Sequence, residues 1–248
     1  LRRQRQMCIR DRICGLILPA DFSTAAILFT VCFTMMFVGG AKVKHLGSII
    51  GTAFLGFAFL ILVNTAVPGF LPRVDTWEKR MMSFGSGEKQ ENYQAEMAKR
   101  AVANGFLFGK GPGKGHVKND LYSAQSDFIY ASSIEEFGSI IGGIGLVILY
   151  MILFFRAIRI MNKVDSKFAS FIVFGLSFML IFQSFVNMGV GVNLFPVTGQ
   201  PLPLISMGGT SILFTCISLG IILNVSTTCL LYTSDAADEG LGVDLGGR

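Results

Sequence analysis

The feature that most constrains this chain is a series of long, uninterrupted apolar runs, at residues 22–38, 46–67, 137–160, 168–192 and 204–225. A helix needs about 20 apolar residues to cross the hydrocarbon layer of a bilayer, and each run approaches or exceeds that length. None of them alternates polar and apolar residues, as an outer-membrane barrel strand does. Of the 248 residues, 52% are hydrophobic and only 15% are charged. That leaves too little polar surface to cover a water-soluble domain. The expectation is an all-α, polytopic transmembrane helix bundle of about five full spans plus a partial one at residues 13–18, with a long extracytoplasmic loop.

Loop charge sets the expected orientation. Lys42, Lys44 and His45 follow the first run, and Arg156, Arg159, Lys163 and Lys167 surround the end of the third. Short basic loops face the cytoplasm, and these two clusters agree on one orientation. The turn at Asp21, the segment 68–126 and the proline-rich loop 193–203 then share the outer face. Pro196, Pro201 and Pro203 stiffen the last of these. Segment 68–126 carries Trp77, many charges, and a short helix expected at 93–108 with Ala95, Ala98, Val102 and Leu107 along one side. Glycine-rich residues 109–116 follow, too rich in glycine and proline for regular structure. A loop of this length is usually functional or disordered.

The net charge of +5 is modest. In a membrane protein it reports loop bias and contact with anionic membrane lipids, and no basic-aromatic pattern points to nucleic acid. The cysteines, Cys8, Cys14, Cys32, Cys216 and Cys229, show neither disulfide nor zinc spacing. His116 stands in a flexible loop with no metal-ligand partner nearby. No metal site is expected.

Asp127 is the leading catalytic candidate. It lies where the basic, glycine-rich loop meets an apolar helix, and a carboxylate at such a boundary can be half-desolvated and tuned for proton chemistry. The plainer alternative is that Asp127, or Ser126 beside it, caps the helix that follows. Lys110, Lys114, Lys118, Arg73 and Arg80 are placed to pair with an anionic headgroup such as a diphosphate, whose tail stays in lipid. They could equally be solvated loop charges. Glu135 falls about two helical turns beyond Asp127 and nearer its side than Glu136 does, which makes Glu135 the better second acid. Either glutamate could instead begin the third span, where a helix N-terminus favours negative charge. Asp21 reads as a cap first.

Residues 1–12 are basic and patternless, and 227–248 are foreign in character to the apolar run before them. Both resemble translated adapter sequence at the ends of gene fragments, although a basic tail and an acidic tail would look similar. The membrane domain is expected at 13–226, as the C-terminal part of a longer protein.

Several local patterns resemble the SEDS family (shape, elongation, division and sporulation), of the FtsW, RodA and SpoVE type. Pro19-Ala20-Asp21-Phe22-Ser23-Thr24 is similar to the family's Gln-Pro-Asp-x-Gly-Thr turn, with alanine before the acid and serine for glycine. Arg80-Met81-Met82-Ser83-Phe84 and Tyr93-Gln94 fall where the family has Arg-x-x-x-Phe and Tyr-Gln. Gly109, Gly111 and Gly113 followed by Lys118 match its glycine-rich segment and lysine. Ser126-Asp127-Phe128-Ile129 with Glu135-Glu136-Phe137-Gly138 resembles its (Thr/Ser)-Asp-Phe-Ile and Glu-Glu-x-Gly signature. The pattern from Pro196 through Thr198-Gly199, Pro201-Leu202-Pro203, Ile205-Ser206 and Gly208-Gly209 to Ser211 resembles its long C-terminal signature. The division-type branch fits better, chiefly around Trp77 and in this last signature.

The resemblance implies a glycosyltransferase of the bacterial cytoplasmic (inner) membrane that polymerises lipid II, the lipid-linked disaccharide-pentapeptide, at the outer face. Asp127 would be the general base, and undecaprenyl diphosphate would leave with inversion. Lys118 and Arg80 would contact the diphosphate or a sugar, with Lys110, Lys114, Glu135 and Ser206 as further substrate contacts. No cofactor is implied. A class B penicillin-binding protein and other divisome proteins would be the partners. Two departures stand out. The family's N-terminal helices, with a Ser-Glu-x-x-Lys motif, do not precede the Asp21 turn, so this length of chain alone is expected to have little or no activity. Ser123-Ala124-Gln125 also replaces a stretch with proline and histidine, and the spacing from Lys118 is one residue shorter. The competing functions are a lipid II flippase and a non-catalytic division scaffold.

Overall fold

The computed structural model describes residues 17, 21–66, 91–115 and 125–242, without the side chains of 63–66, 91–92 and 229–242. Arg73, Trp77, Arg80, His116, Lys118 and all but Ile17 of the expected partial span lie outside the described residues. The described residues form helices and loops, without strands: α1 (Phe22–Val38), α2 (Val43–Ala66), α3 (Glu91–Gly105), α4 (Ile129–Gly138), a π-helical segment (Ser139–Gly145) running into α5 (Leu146–Lys163), α6 (Lys167–Gly191) and α7 (Gly209–Gly242).

Helix α6 organises the bundle, packing against α1, α3, α4, α5 and α7. Its sequence explains why. Small residues let neighbours approach closely where no hydrophobic force separates helix from lipid. At Gly175 a Cβ would stand 2.7 Å from Met35 Sδ of α1. At Gly191 it would meet the Tyr130 ring of α4 at 3.2 Å. Ser177 and Ser184 are fully buried and donate to carbonyls of their own helix, Phe174 O and Leu180 O. Phe174, Phe178 and Phe182 stack along α6, and Phe178 meets Phe154 of α5 at 6.4 Å.

Among the described residues, four stretches are long and apolar enough to cross a membrane: Val43–Leu62, Ile129–Lys163, Lys167–Gly191 and Gly209–Thr228. The 17-residue α1 is a shorter apolar helix. Large side chains such as Phe54 and Leu55 of α2, Leu149 and Phe155 of α5, and Phe214 of α7 face outward. So much exposed apolar surface suits lipid and not water. The polytopic helical bundle is thus as expected.

The chain alternates direction between two ends. The Asp21 turn and loop 192–208 meet at one end, where Ser23 Oγ donates to Thr198 O at 2.9 Å. At the other end Gly39 lies against the Phe171 ring, and Ser170 Oγ donates to Met161 O. The basic clusters Lys42–Lys44 and Lys163–Lys167 belong to this second end, away from the Asp21 turn.

Three boundaries differ from expectation. The short helix ends at Gly105, so Leu107 lies beyond it. Gly105 packs on the Ile134 backbone, where any Cβ would collide, and Phe106 then turns with φ +44°. The last helix begins at Gly209 and not at 204, because 202–206 form a turn in which Leu204 adopts φ +70°.

The third difference concerns the site most. Residues 129–138 form a separate short helix at the start of the stretch Ile129–Lys163, and the chain breaks at Gly138, φ +83°. In a straight helix residues 133 and 142 would lie about 13 Å apart. Here a Cβ on Gly142 would fall 3.2 Å from the Ile134 nitrogen, and Tyr130 Oη donates to Gly143 O. The π-helical segment is therefore folded back beside α4. The glycine-rich loop fills the break: Lys110 and Gly111 donate their N–H groups to Glu135 O and Glu136 O, while Ser139 and Ile140 donate to Phe106 O and Leu107 O. Four backbone groups that lost helical partners are satisfied across the break.

Candidate active site at the Asp127 turn

The site end is built from three distant pieces of sequence. Asp21, in extended conformation, caps α1 by accepting from the N–H groups of Ser23 and Thr24. It also accepts from the Thr24 hydroxyl at 2.5 Å, while the Ser23 hydroxyl, 2.7 Å from Oδ1, shares its one proton between Asp21 and Thr198 O. Burial acts to raise the Asp21 pKa, yet the hydrogen bonds from Thr24 and Ser23 outweigh it and hold the carboxyl below its usual 3.8. Asp21 is a cap, as expected, and it is also an anchor. Gln200 of the proline loop donates from Nε2 to Thr24 Oγ1 at 2.9 Å and lies 3.5 Å from Asp21 Oδ2.

The loop then reaches Asp127. Gln183 and Asn187, one turn apart on α6, donate to consecutive loop carbonyls, Pro201 O at 3.1 Å and Gln200 O at 2.7 Å. The Asn187 amide also donates to Asp127 O at 3.0 Å. Ser206 is buried in the turn before α7; it accepts from Leu202 N and donates to Ser126 O, both at 2.7 Å. Met207 N donates to Gln125 O at 3.0 Å. Three successive carbonyls, those of Gln125, Ser126 and Asp127, are each held by a group far away in sequence.

With its backbone fixed in this way, the Asp127 side chain remains available. The cap position of α4 falls on Phe128, and no side chain caps that helix. Asp127 is half-buried, and its Oδ1 accepts from Ser126 Oγ at 2.9 Å. Oδ2 has no partner among the described residues. Phe128, behind it, is fully buried against Ala98, Ala101, Ala131 and Val190. A carboxylate so placed rests on a rigid floor with one oxygen open to accept a proton.

The other expected site residues sort into three groups. Ser206 is brought to Asp127, where its single proton goes to Ser126 O. Lys110 and Glu135 are brought to each other, Nζ to Oε1 3.5 Å, with Glu135 fully buried and Lys110 about one-third exposed. Glu135 thus lies inside α4, in the first part of the apolar stretch Ile129–Lys163. Gly115 presses on the same carboxylate; a Cβ there would be 3.0 Å from Oε2. No hydrogen bond or ion pair among the described residues joins this pair, or the exposed Lys114, to Asp127. Lys118 and Arg80 fall outside the described residues.

Sequence reasoning missed Asn187, Gln200 and Gln183. A signal was present. Amides inside an apolar run are costly unless partnered, and Gln183 and Asn187 are spaced i, i+4 on one helix face.

Comparison with known proteins agrees with this architecture. A protein named "Probable peptidoglycan glycosyltransferase FtsW" from Francisella salina is 35% identical over 221 residues, covering 85% of this chain and 51% of that protein. "Stage V sporulation protein E" of Bacillus subtilis (strain 168) is 34% identical over 211 residues, covering 83% and 54%. Among solved structures, a chain from "Structural coordination of polymerization and crosslinking by a peptidoglycan synthase complex" aligns with a TM-score of 0.64 at 28% identity, covering 90% of this chain and 61% of that one. The chain spans about half the length of the curated relatives it matches. The family model for FtsW, RodA and SpoVE, described as "Cell cycle protein", matches residues 7–229, and the chain belongs to that family.

Proposed function

We propose that the full-length protein is a peptidoglycan glycosyltransferase that polymerises lipid II at the outer face of the bacterial cytoplasmic membrane during cell division, with Asp127 as general base. The observation that carries this is the Asp127 turn: a half-buried carboxylate, not spent on capping its helix, on backbone held by three separate elements. The names of relatives about 35% identical support the same chemistry.

Asp127 takes the proton of the 4-hydroxyl of one sugar as that oxygen bonds to the anomeric carbon of another. The bond from the anomeric carbon to the diphosphate oxygen breaks, and undecaprenyl diphosphate departs with the electron pair and inversion. A base at the attacking oxygen and cations at the leaving group are what such a displacement requires. Lys114, Lys118 and Arg80 are the cations assigned to the diphosphate, with Lys110 sharing its charge between that role and Glu135. Ser206 serves from beneath, through the carbonyl of Ser126. A class B penicillin-binding protein is the proposed partner, within the divisome.

Proteoliposomes separate the three activity classes. With the full-length protein and its partner reconstituted around fluorescent lipid II, the glycosyltransferase yields glycan polymer without net movement of precursor between leaflets. Movement of precursor without polymer would establish a flippase instead. Neither product, with the partner still bound, would leave a scaffold.

A further inference from the structure

We infer that Asn187 is a positioning residue for Asp127: its amide holds the Asp127 carbonyl and the proline loop together, and through that bond fixes where the carboxylate meets the sugar hydroxyl. The inference rests on the glycosyl-transfer role of Asp127 proposed above.

The orientation of the Asn187 amide follows from its neighbours. Asp127 O and Gln200 O are both acceptors, at 3.0 and 2.7 Å, so the NH2 end must face them. This leaves Oδ1 buried and without a hydrogen-bond partner among the described residues, at 1% exposure of the residue. An unsatisfied buried acceptor destabilises a fold, and each instance calls for a reason. Leucine would fill similar space on an apolar helix without that cost. What leucine could not do is donate twice, once to the residue bearing the candidate base and once to the loop beside it.

The bond to Gln200 extends the arrangement. Gln200 Nε2 donates in turn to Thr24 Oγ1, which donates to Asp21. A line of hydrogen bonds therefore runs from the cap of α1, through the loop, to the backbone of Asp127. Ser206 and Met207 hold the two preceding carbonyls independently. Loss of the Asn187 donor should consequently shift Asp127 without unfolding the turn. A displacement of about 1 Å at a reacting group can cost about 100-fold in rate.

The test uses the full-length protein with its penicillin-binding partner and lipid II as substrate. Asn187→Asp keeps the shape and removes the donor; Asn187→Leu removes it without adding a charge. Each is expected to lower kcat about 10- to 100-fold while KM for lipid II stays within about threefold. Thermal unfolding should stay cooperative and partner binding unchanged. In the Asp127→Asn background, Asn187→Leu should reduce any residual rate by less than about twofold, because the group it positions is already gone.

An unchanged kcat in Asn187→Leu beside an inactive Asp127→Asn would overturn this inference alone and leave the general base in place. Failure of both Asn187 variants to fold, or loss of rate in step with loss of partner binding, would assign Asn187 to general packing and also overturn it. Full activity of Asp127→Asn would remove the glycosyl-transfer role itself.

Discussion

At the scale of single residues, two aspartates at the same end of the molecule are used differently. Asp21 accepts from Ser23, Thr24 and Gln200 and caps α1, whereas Asp127 leaves its helix uncapped and one oxygen open among the described residues. Both were legible in the sequence as acids at element boundaries. Asp21 also read as a cap first, but whether Asp127 caps the helix after it stayed open, since that depends on whether the helix's N–H groups point at the carboxylate. Asp21→Ala is expected to lower stability by about 1 kcal/mol, as for other lost caps. Its pH dependence follows from the direction of the pKa. The folded-state value lies below the usual 3.8, so the stabilisation is complete above that value and disappears as pH falls through the lower folded-state value. Unfolding temperatures in detergent between about pH 5 and pH 2 should therefore fall more steeply for the unmodified protein than for Asp21→Ala. Parallel curves would show that the cap contributes nothing in this window.

At the scale of elements, the break at Gly138 decides the local architecture. The sequence read as one helix from Asp127 into an apolar run, because Glu135-Glu136 looks like the polar edge of that run. The actual arrangement depends on long-range pairing between 106–111 and 135–140, which no local pattern reports. Helix α1, by contrast, was read correctly at both ends, from a cap at Asp21 and glycines at 39 and 40. Gly138→Ala is expected to destabilise by about 1–3 kcal/mol, since φ +83° is strained for any side chain, and the added Cβ would stand 2.6 Å from Gly109 N. An unfolding temperature equal to that of the unmodified protein would show that the break tolerates a side chain. Lys110→Met should cost about 1–3 kcal/mol, below the figure for fully buried pairs because Lys110 is partly solvated. Lys114→Met, at an exposed position, should stay within about 0.5 kcal/mol. Denaturation of the two variants side by side checks the contrast.

At the scale of the whole molecule, α6 is the hub, and the polar groups that could do chemistry gather at one end of it while the basic clusters gather at the other. That segregation was legible because charge bias and apolar run length are properties of composition along the chain, and they survive errors of a few residues at each boundary. The clamp on Asp127 was legible only in part: the amides of Gln183 and Asn187 stand out inside an apolar run, but the carbonyls of Gln125, Ser126 and Asp127 that Met207, Ser206 and Asn187 hold have no sequence signature. The orientation has a direct consequence for labelling. With other cysteines removed, a cysteine at Lys44 or Asp165 should react with a membrane-impermeant maleimide only when cells are opened, and one at Lys114 should react in intact, outer-membrane-permeabilised cells. The reverse pattern would place Asp127 in the cytoplasm and remove the proposed reaction from its substrate's leaflet.

The most direct measurement is the rate of glycan polymer formation by Asp127→Asn relative to the unmodified full-length protein, at saturating lipid II and with the partner bound. A general base contributes about 100- to 10,000-fold, so the variant should polymerise at less than about one-hundredth of the parent rate while still binding lipid II. A rate within about threefold of the parent would contradict the assignment of Asp127 as the base.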